Sequence, residues 1–232
     1  MNFTEFENKL GYHFKNRDLL IQALTHPSNH VCNKKDLPDY ERLEFLGDAV
    51  LCLIVTIFLI DTYPSEQEGD LAKRRSALVC GRTLAEIART IDLGEQIMMS
   101  YGEEHVGGRQ NDHNLEDAME ALLGAIFVDG GLEQAKKIIA SFWLPKIKEM
   151  KIIPYNPKTK LQEISQAKKH GIPVYELMSV EGEAHNPLFE IQVSIHQDLR
   201  ASGKGSSKKI AENIAAEELL KIIERENNES RS

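Results

Sequence analysis

The chain has 232 residues and a formal net charge of −8, with 41% hydrophobic and 28% charged residues. These proportions are those of soluble globular proteins, so they exclude collagen-like, low-complexity and wholly disordered chains. The length predicts one or two domains whose cores need no disulfide bonds. The acidic excess lies in residues 1–154, with 17 basic and 24 acidic residues, whereas residues 155–226 carry 10 and 11.

The first residues of the chain and its cysteines indicate the cellular compartment of the protein. Residues 1–5 lack the basic start and apolar segment of a signal peptide. Cys32, Cys52 and Cys80 are odd in number and form no Cys-x-x-Cys pair, which favours free thiols in a reducing compartment. The longest apolar stretch, Ala49–Ile60, is shorter than the about 18 residues that span a bilayer, so it predicts a buried helix. We therefore expect a cytoplasmic protein without a membrane partner.

Apolar residues recur at helical spacing from residue 3 to about residue 143. This pattern predicts an all-α domain over residues 1–150. Residues 151–156 follow, and Pro154 and Pro157 lie where the periodicity changes. The segment 151–156 is therefore interpreted as an interdomain linker.

The remaining residues predict a smaller domain with both helices and strands. A helix candidate is followed by three segments with strand-like alternation and then by a helix with a serine cap. Gly203-Lys204-Gly205 is interpreted as a glycine turn that opens the last helix. The order is α-β-β-β-α over residues 157–226, followed by a flexible tail, 227–232. The predicted elements are 159–170, 174–180, 189–195, 199–202 and a helix to about Arg225.

Two groups of carboxylates stand out in the helical part. Glu41, Glu44 and Asp48 are spaced i, i+3 and i+7, and Asp117 and Glu120 are spaced i, i+3 within an apolar helix. Like-charged carboxylates on core-facing helices cost several kcal/mol unless a cation or protons compensate them. Mg²⁺, which takes oxygen ligands and serves phosphodiester hydrolysis, is the economical explanation. For the first group alone, a solvated helix N-terminus remains an alternative.

The segment Glu41-Arg-Leu-Glu-Phe-Leu-Gly-Asp48 resembles the signature of bacterial ribonuclease III. Other matching segments are Leu10–Phe14, Leu24–Ser28, Glu68–Leu71, Gly107–Arg109 and Asp117–Ala121. The resemblance extends over residues 3–226. It implies a multidomain protein, with an all-α ribonuclease III endonuclease domain followed by an α-β-β-β-α double-stranded-RNA-binding domain.

The resemblance also implies an activity. It is the endonucleolytic hydrolysis of double-stranded RNA with Mg²⁺, for which Mn²⁺ can substitute, giving 5′-phosphate and 3′-hydroxyl ends with short 3′ overhangs. The implied enzyme is a homodimer that processes precursor ribosomal RNA and structured messenger RNA. Two rival interpretations remain from the residues alone: a catalytically silent RNA-binding protein, and a Mg²⁺-dependent helical enzyme acting on diphosphates. The complete set of acidic positions favours the nuclease over the first, and the C-terminal domain favours it over the second.

Site residues follow from the matched positions. Glu120 is implied to be the most critical to catalysis, and Glu41 also lies near the dimer contact. The implied metal ligands are Glu44, Asp48, Asp117 and Glu120, and the implied catalytic residues are Asp48, Glu120, Glu41 and Glu68.

Some positions depart from the family pattern. Arg74 replaces an apolar residue, Gln67 replaces a glycine, Glu183 replaces a proline, and Asn111–Asn114 replaces a basic or serine-containing segment. These departures bear on local RNA contacts and loop shape rather than on the reaction. His113 lies in the last of these segments, close to Asp117 in sequence. A loop histidine without a role is the favoured interpretation, and an approach to the carboxylate site is the alternative.

The C-terminal motifs resemble those of double-stranded-RNA-binding domains. The matching segments are Gly203–Glu212 with the following Ala215-Ala216, and Gly182–His185 with Phe189. A helix N-terminus offers backbone N–H groups to a phosphate, and such domains recognise A-form shape over ~16 base pairs. The implied RNA-binding residues are Gln162, Glu163, His185, Lys204, Lys208 and Lys209.

Overall fold

The computed structural model of the chain describes residues 3–31, 38–154, 156–182, 187–195 and 199–229. The chain divides into two compact units, Met1–Pro154 and Tyr155–Ser232. In the described part, the first unit is helical and the second combines helices with a sheet. The predicted fold class is therefore confirmed.

The first unit is built from nine α-helices within the described residues, together with short 3₁₀ turns at Pro27–Val31 and Gly108–Gln110. The helices are α1 (Thr4–Leu10), α2 (Arg17–Ala23), α3 (Glu41–Thr62), α4 (Glu68–Leu78), α5 (Gly81–Thr90), α6 (Leu93–Gln96), α7 (Tyr101–His105), α8 (Asp112–Gly130) and α9 (Leu132–Glu149).

Helices α3 and α8 form the centre of this unit. Their apolar residues recur at three- and four-residue intervals, as in Leu51, Ile54 and Val55 of α3, and these side chains are fully buried. Helix α9 adds Trp143, which is also fully buried and donates a hydrogen bond from Nε1 to the Leu78 carbonyl at 2.8 Å. Since the indole N–H is paired, the ring is buried without an unsatisfied donor.

Helix α3 is also the one described helix that is long and apolar enough to cross a membrane by length and composition, with a mean hydropathy of 2.4. Core helices pass the same test. Here, buried positions of α3 pack into the same core as residues of α8 and α9, and the helix carries Glu44 and Asp48 in its first two turns. Packing within the protein therefore accounts for its buried apolar residues.

The crossing of α3 and α8 depends on two glycines. A Cβ atom at Gly47 would overlap the backbone carbonyl of Glu120, and a Cβ atom at Gly124 would overlap the carbonyl of Leu43. Any larger residue at these positions would separate the helices, because backbone atoms of a packed helix have little room to shift. The two backbones thus approach each other beside the carboxylates of both helices.

Arg74 has a structural role that its departure from the family pattern did not reveal. Its guanidinium forms two hydrogen bonds with Glu66, at 2.7 and 2.8 Å, and a third with the Met150 carbonyl at 2.6 Å. It also lies 3.9 Å from the centre of the Tyr63 ring. Because the side chain is only 3% exposed, Arg74 ties the end of α9 to the core and is not a surface contact for RNA.

The second unit contains one sheet and two helices within its described residues. The strands are antiparallel in the order β1-β2-β3, and Leu161, Val193 and Leu219 form part of a core shared by the sheet and both helices. The elements are α10 (Pro157–Ala167), β1 (Val174–Glu181), β2 (Leu188–Ile195), β3 (Leu199–Gly205) and α11 (Lys208–Glu229).

The interpretation of Gly203-Lys204-Gly205 as a turn is wrong, because all three residues belong to β3. The glycines serve packing instead: a Cβ atom at Gly203 would overlap backbone atoms of α11, and one at Gly205 would lie 2.7 Å from the Ala211 nitrogen. Lys204 is therefore a strand residue opposite Glu190. Helix α11 begins only at Lys208, where Ser207 Oγ accepts a hydrogen bond from the Ile210 N–H at 3.3 Å.

Helix α11 also differs from its predicted end. It continues to Glu229, so it extends past Arg225 and into the segment predicted to be a flexible tail. Residues 230–232 lie outside the described residues. The helix-forming side chains of 217–226, rich in Glu, Leu, Lys and Ile, give no signal that would end the helix at Arg225.

We expect Gly47→Ala to lower the free energy of unfolding of the first unit by about 1 to 3 kcal/mol, because the methyl group forces α3 away from α8. Gly69→Ala is the matched control, since no atom lies within 4 Å of its Cβ position. That change should be neutral or stabilise by up to about 1 kcal/mol. Urea unfolding followed by the fluorescence of Trp143, the sole tryptophan, measures both. Equal stability of the two variants would contradict the close crossing.

Candidate active site

The crossing of α3 and α8 brings four of the predicted site residues into one region. Glu44 and Asp48 flank Gly47 on α3, and Glu120 is the residue whose carbonyl lies against Gly47. Asp117 precedes Glu120 by almost one turn of α8, so both side chains project from the same face. The arrangement combines two carboxylates from each helix.

The surroundings of Glu120 shift the pKa of its side chain strongly. Burial, and then the charges of Asp48, Glu116, Glu44 and Asp117, raises the pKa of Glu120 to about 8. The carboxylate is therefore unfavourable in the protein alone, and a proton or a cation is needed to balance it. Such an excess of negative charge is the physical signature of a cation site.

Glu44 and Asp117 share this environment. Burial raises the pKa of Glu44, and the charge of Asp117 adds to the effect. Burial likewise raises the pKa of Asp117, whereas the charge of His113 and a hydrogen bond from Tyr40 act in the opposite direction. The region thus holds partly desolvated carboxylates that raise one another's pKa.

Tyr40 was not predicted from the sequence, yet it supports Asp117 from within the core. Tyr40 is 1% exposed, and hydrogen bonding from its side chain lowers the pKa of Asp117. Burial and the charges of Asp117 and Glu44 raise the pKa of Tyr40 well above its usual value, so the hydroxyl remains a donor. The His26 ring packs edge-on against the tyrosine ring at 5.7 Å and fixes its position.

Glu116 was not predicted from the sequence, and for His113 the structure supports the less favoured of the two interpretations, an approach to the carboxylates. The interpretation of His113 as a loop residue is wrong, because it lies in the first turn of α8. Its Nδ1 atom is 3.2 Å from Asp117 Oδ1 and 3.7 Å from Glu116 Oε2. The spacing of these residues, i, i+3 and i+4, places them on one helix face and is the signal that would have identified them.

Cys52 lies beside Asp48, one turn further along α3. Its Sγ atom is 3.5 Å from Asp48 Oδ1, within reach of a weak S–H hydrogen bond. Burial, followed by the charge of Asp48, raises the pKa of the thiol. Cys52 is therefore a neutral donor that helps to orient Asp48.

Glu41 and Glu68 lie at the edge of this region. Glu41 is exposed one turn before Glu44, whose pKa its charge helps to raise. Glu68 is exposed in the first turn of α4 and lines a surface cavity of about 360 Å³ with Thr56 and Arg75. Thr56 is about 12 Å along α3 from Asp48, so Glu68 lies further towards the C-terminal end of α3 than the four carboxylates. The catalytic role of Glu68 stays a prediction.

The predicted RNA-binding residues occupy the second unit. Lys208 and Lys209 are exposed in the first turn of α11, and Gln162 and Glu163 are exposed on α10. Lys204 Nζ lies 3.3 Å from Glu190 and 3.8 Å from Glu181, so strand carboxylates already balance part of its charge. His185 lies outside the described residues.

Comparisons with known proteins agree with this arrangement. The family described as Ribonuclease-III-like matches residues 16–147, and the double-stranded RNA binding motif matches residues 157–223. Ribonuclease 3 of Rickettsia akari (strain Hartford) is 48% identical over 221 residues, which are 94% of this chain and 96% of that protein. Ribonuclease 3 of Wolbachia pipientis wMel is 48% identical over 215 residues, covering 92% of this chain and 93% of the relative.

A solved structure matches the helical unit. The nuclease domain of ribonuclease III from Campylobacter jejuni has 44% sequence identity and a TM-score of 0.56, and the match covers 66% of this chain and 99% of that one. Together with both domain matches and the near full-length relatives, this shows that the chain belongs to the ribonuclease III family and is an endoribonuclease with a double-stranded-RNA-binding domain.

Proposed function

We propose that this enzyme hydrolyses double-stranded RNA with Mg²⁺, or with Mn²⁺ in its place, and leaves 5′-phosphate and 3′-hydroxyl ends. The observation that carries the proposal is the meeting of Glu44, Asp48, Asp117 and Glu120 where α3 and α8 cross. The two helices hold the carboxylates on rigid backbone, which a site for phosphoryl chemistry requires.

The donor set fits a hard divalent cation. All four side chains offer carboxylate oxygens, the ligand type that Mg²⁺ prefers. The raised pKa values of Glu120, Glu44 and Asp117 indicate that the carboxylates repel one another and lack full hydration. A bound divalent cation would polarise the scissile phosphate and lower the pKa of the attacking water.

The side chains have separate tasks in this proposal. Asp48, Glu44, Asp117 and Glu120 would hold the cation, and Asp48 and Glu120 are the proposed catalytic residues among these four. Cys52 orients Asp48 through its S–H hydrogen bond, and the Tyr40 side chain favours the charged form of Asp117 by lowering its pKa. Glu41, one turn before Glu44, and Glu68, at the start of α4, act as accessory acids.

The second unit supplies affinity for the duplex. Lys208 and Lys209 project from the start of α11, where the exposed charges and the helix N-terminus both attract phosphate. Gln162 and Glu163 on α10, with His185 and Lys204, complete the proposed RNA contacts. Such a surface recognises A-form shape and not base sequence.

We propose that the enzyme acts as a homodimer. Phe45 is 83% exposed on the first turns of α3, and Leu53 and Ile60 continue an exposed apolar face along the same helix. A second copy would cover this face and bring a second set of carboxylates to the other RNA strand. A structure of the Campylobacter jejuni nuclease domain describes a region involved in dimer formation, which supports the proposal.

Precursor ribosomal RNA and structured messenger RNA are the proposed substrates, and the cytoplasm is the proposed location. Shape recognition suits any long duplex in a transcript. Cys52 and Cys80 are free thiols in the described part, which suits a reducing compartment.

We expect Glu120→Gln to abolish cleavage while duplex binding stays within about twofold of wild type, because binding draws on phosphate contacts elsewhere. Cleavage and gel-shift assays on one labelled RNA duplex, with and without Mg²⁺, separate the two effects. Glu133→Gln, an exposed position on α9, is the control and should cleave normally. Normal turnover by Glu120→Gln would refute the assigned role, and metal-independent cleavage would refute the proposed cofactor.

We expect light scattering of the full chain at micromolar concentration to give about twice its mass of 26.2 kDa. Phe45→Glu should shift the protein towards the monomer, because it places a charge in the apolar contact. Val106→Glu is the control, since Val106 is also highly exposed but lies after α7. A wild-type monomer with full activity would contradict the dimer.

We expect deletion of residues 155–232 to weaken duplex binding and to flatten the dependence of log K on log [salt]. The carboxylates remain, so the truncated protein should cleave at low salt and, because its affinity is lower, lose activity at a lower salt concentration than the full chain. Circular dichroism checks that it is folded. A folded truncated protein without cleavage at any salt would show that the second unit completes the active site.

Substitution of two lysines in the full chain tests which surface causes the salt dependence of duplex binding. Lys208→Ala with Lys209→Ala should reduce the salt slope by about one unit for each phosphate that the lysines neutralise. Lys221→Ala, further along the same helix and 2.8 Å from Glu218, is the control and should leave the slope unchanged. An equal effect of both changes would place the phosphate-binding surface elsewhere.

A further inference from the structure

The first turns of α8 present a nitrogen ligand atom beside the carboxylates. His113 Nδ1 lies 3.2 Å from Asp117 Oδ1 and 3.7 Å from Glu116 Oε2. One ligand atom from each of the three residues lies within 4.8 Å of the others. The His113 side chain is 77% exposed, so the imidazole is free to turn towards an ion that approaches from solvent.

These distances suit ligands of one ion. In an octahedral site with bonds of about 2.1 Å, neighbouring ligand atoms are about 3.0 Å apart. The separation between His113 and Asp117 is close to this value, and that between His113 and Glu116 needs only a small side-chain movement. A simple ion pair of His113 with Asp117 would show the same contact, so the nature of the interaction has to be tested by its ligand chemistry.

Glu116 is held in place by the neighbouring helix. A Cβ atom at Gly81, the first residue of α5, would overlap the Glu116 carboxylate, so the glycine provides the space that this side chain occupies. Its charge also contributes to the raised pKa of Glu120 and of Asp117. Glu116 therefore adds a further negative group to the cation site from the side of His113.

Mg²⁺ alone gives no reason for an imidazole at this position. Mg²⁺ binds oxygen ligands, whereas imidazole suits first-row transition ions, whose affinity for nitrogen is higher. We propose that His113 is a metal ligand at the Asp117 end of the site, that Glu116 lies next to it, and that this pair shifts the preference of the enzyme towards Mn²⁺. The inference rests on the proposed function, because it concerns the same cation site.

Pulsed electron paramagnetic resonance of Mn²⁺ bound to the full chain, without RNA, tests the inference independently of activity. A directly bound imidazole gives a ¹⁴N modulation of the Mn²⁺ electron spin echo. We expect this modulation in wild type, its loss in His113→Ala and in His113→Gln, and its retention in His105→Ala. His105 is the matched control, since it is an exposed histidine whose ring stacks on Tyr101.

The affinities of the protein for Mn²⁺ and for Mg²⁺ provide a second measurement. His113→Ala should weaken Mn²⁺ binding by at least about tenfold, since even residues that only support a metal ligand contribute that much, and should leave Mg²⁺ binding within about twofold. Competition between the two ions, followed by the signal of free Mn²⁺, gives both constants. An equal loss for the two ions would show that His113 acts only through charge or structure, which overturns the proposal.

The outcomes separate this inference from the proposed function. Stoichiometric Mn²⁺ binding that is lost in Glu120→Gln, but without ¹⁴N modulation in wild type, overturns the role of His113 and leaves the carboxylate site intact. Modulation that survives both His113 variants assigns the nitrogen to another residue and also overturns it. A wild-type protein that binds neither ion contradicts the cation site itself, and the inference fails with it.

Discussion

The close approach of α3 to α8 is the constraint on which the rest of the nuclease unit depends. Gly47 lies against the Glu120 carbonyl and Gly124 against that of Leu43, so the two backbones are in direct contact. Core packing drives the contact, since both helices bury apolar residues in the same core. Because carboxylates flank the glycines on both helices, the same packing that stabilises the core concentrates negative charge at its surface.

The sequence predicts the helices and strands more accurately than the contacts between them. Helical spacing predicts α3 and α8, and the period of two in residues 189–195 predicts β2, because these patterns record which face is buried. The glycines of β3 show the limit. Gly203 and Gly205 resemble a turn in sequence, yet both lie in a strand because α11 packs too closely for a side chain. Local pattern does not reveal a close approach between distant segments.

The same limit applies to the candidate site. Spacing places Glu44 and Asp48 on one helix and Asp117 and Glu120 on another, but it contains no information that the helices cross at these residues. Tyr40 supports Asp117 although it lies far from it in sequence. Arg74 shows the same limit. A charged residue occurs at a position that is usually apolar in the family because Glu66 and the end of α9 supply hydrogen-bond acceptors for it, and the sequence does not indicate these partners.

The electrostatics of the two units suit opposite ligands. In the nuclease unit, partly buried carboxylates hold the pKa of Glu120 at about 8, so folding leaves a charge imbalance that a cation would relieve. A cation that binds the folded form alone would also stabilise it by mass action. In the second unit, Glu181 and Glu190 partly balance Lys204, whereas Lys208 and Lys209 are exposed at the start of α11. An acidic chain can thus attract RNA through a local basic cluster, while its acidic site is suited to a cation.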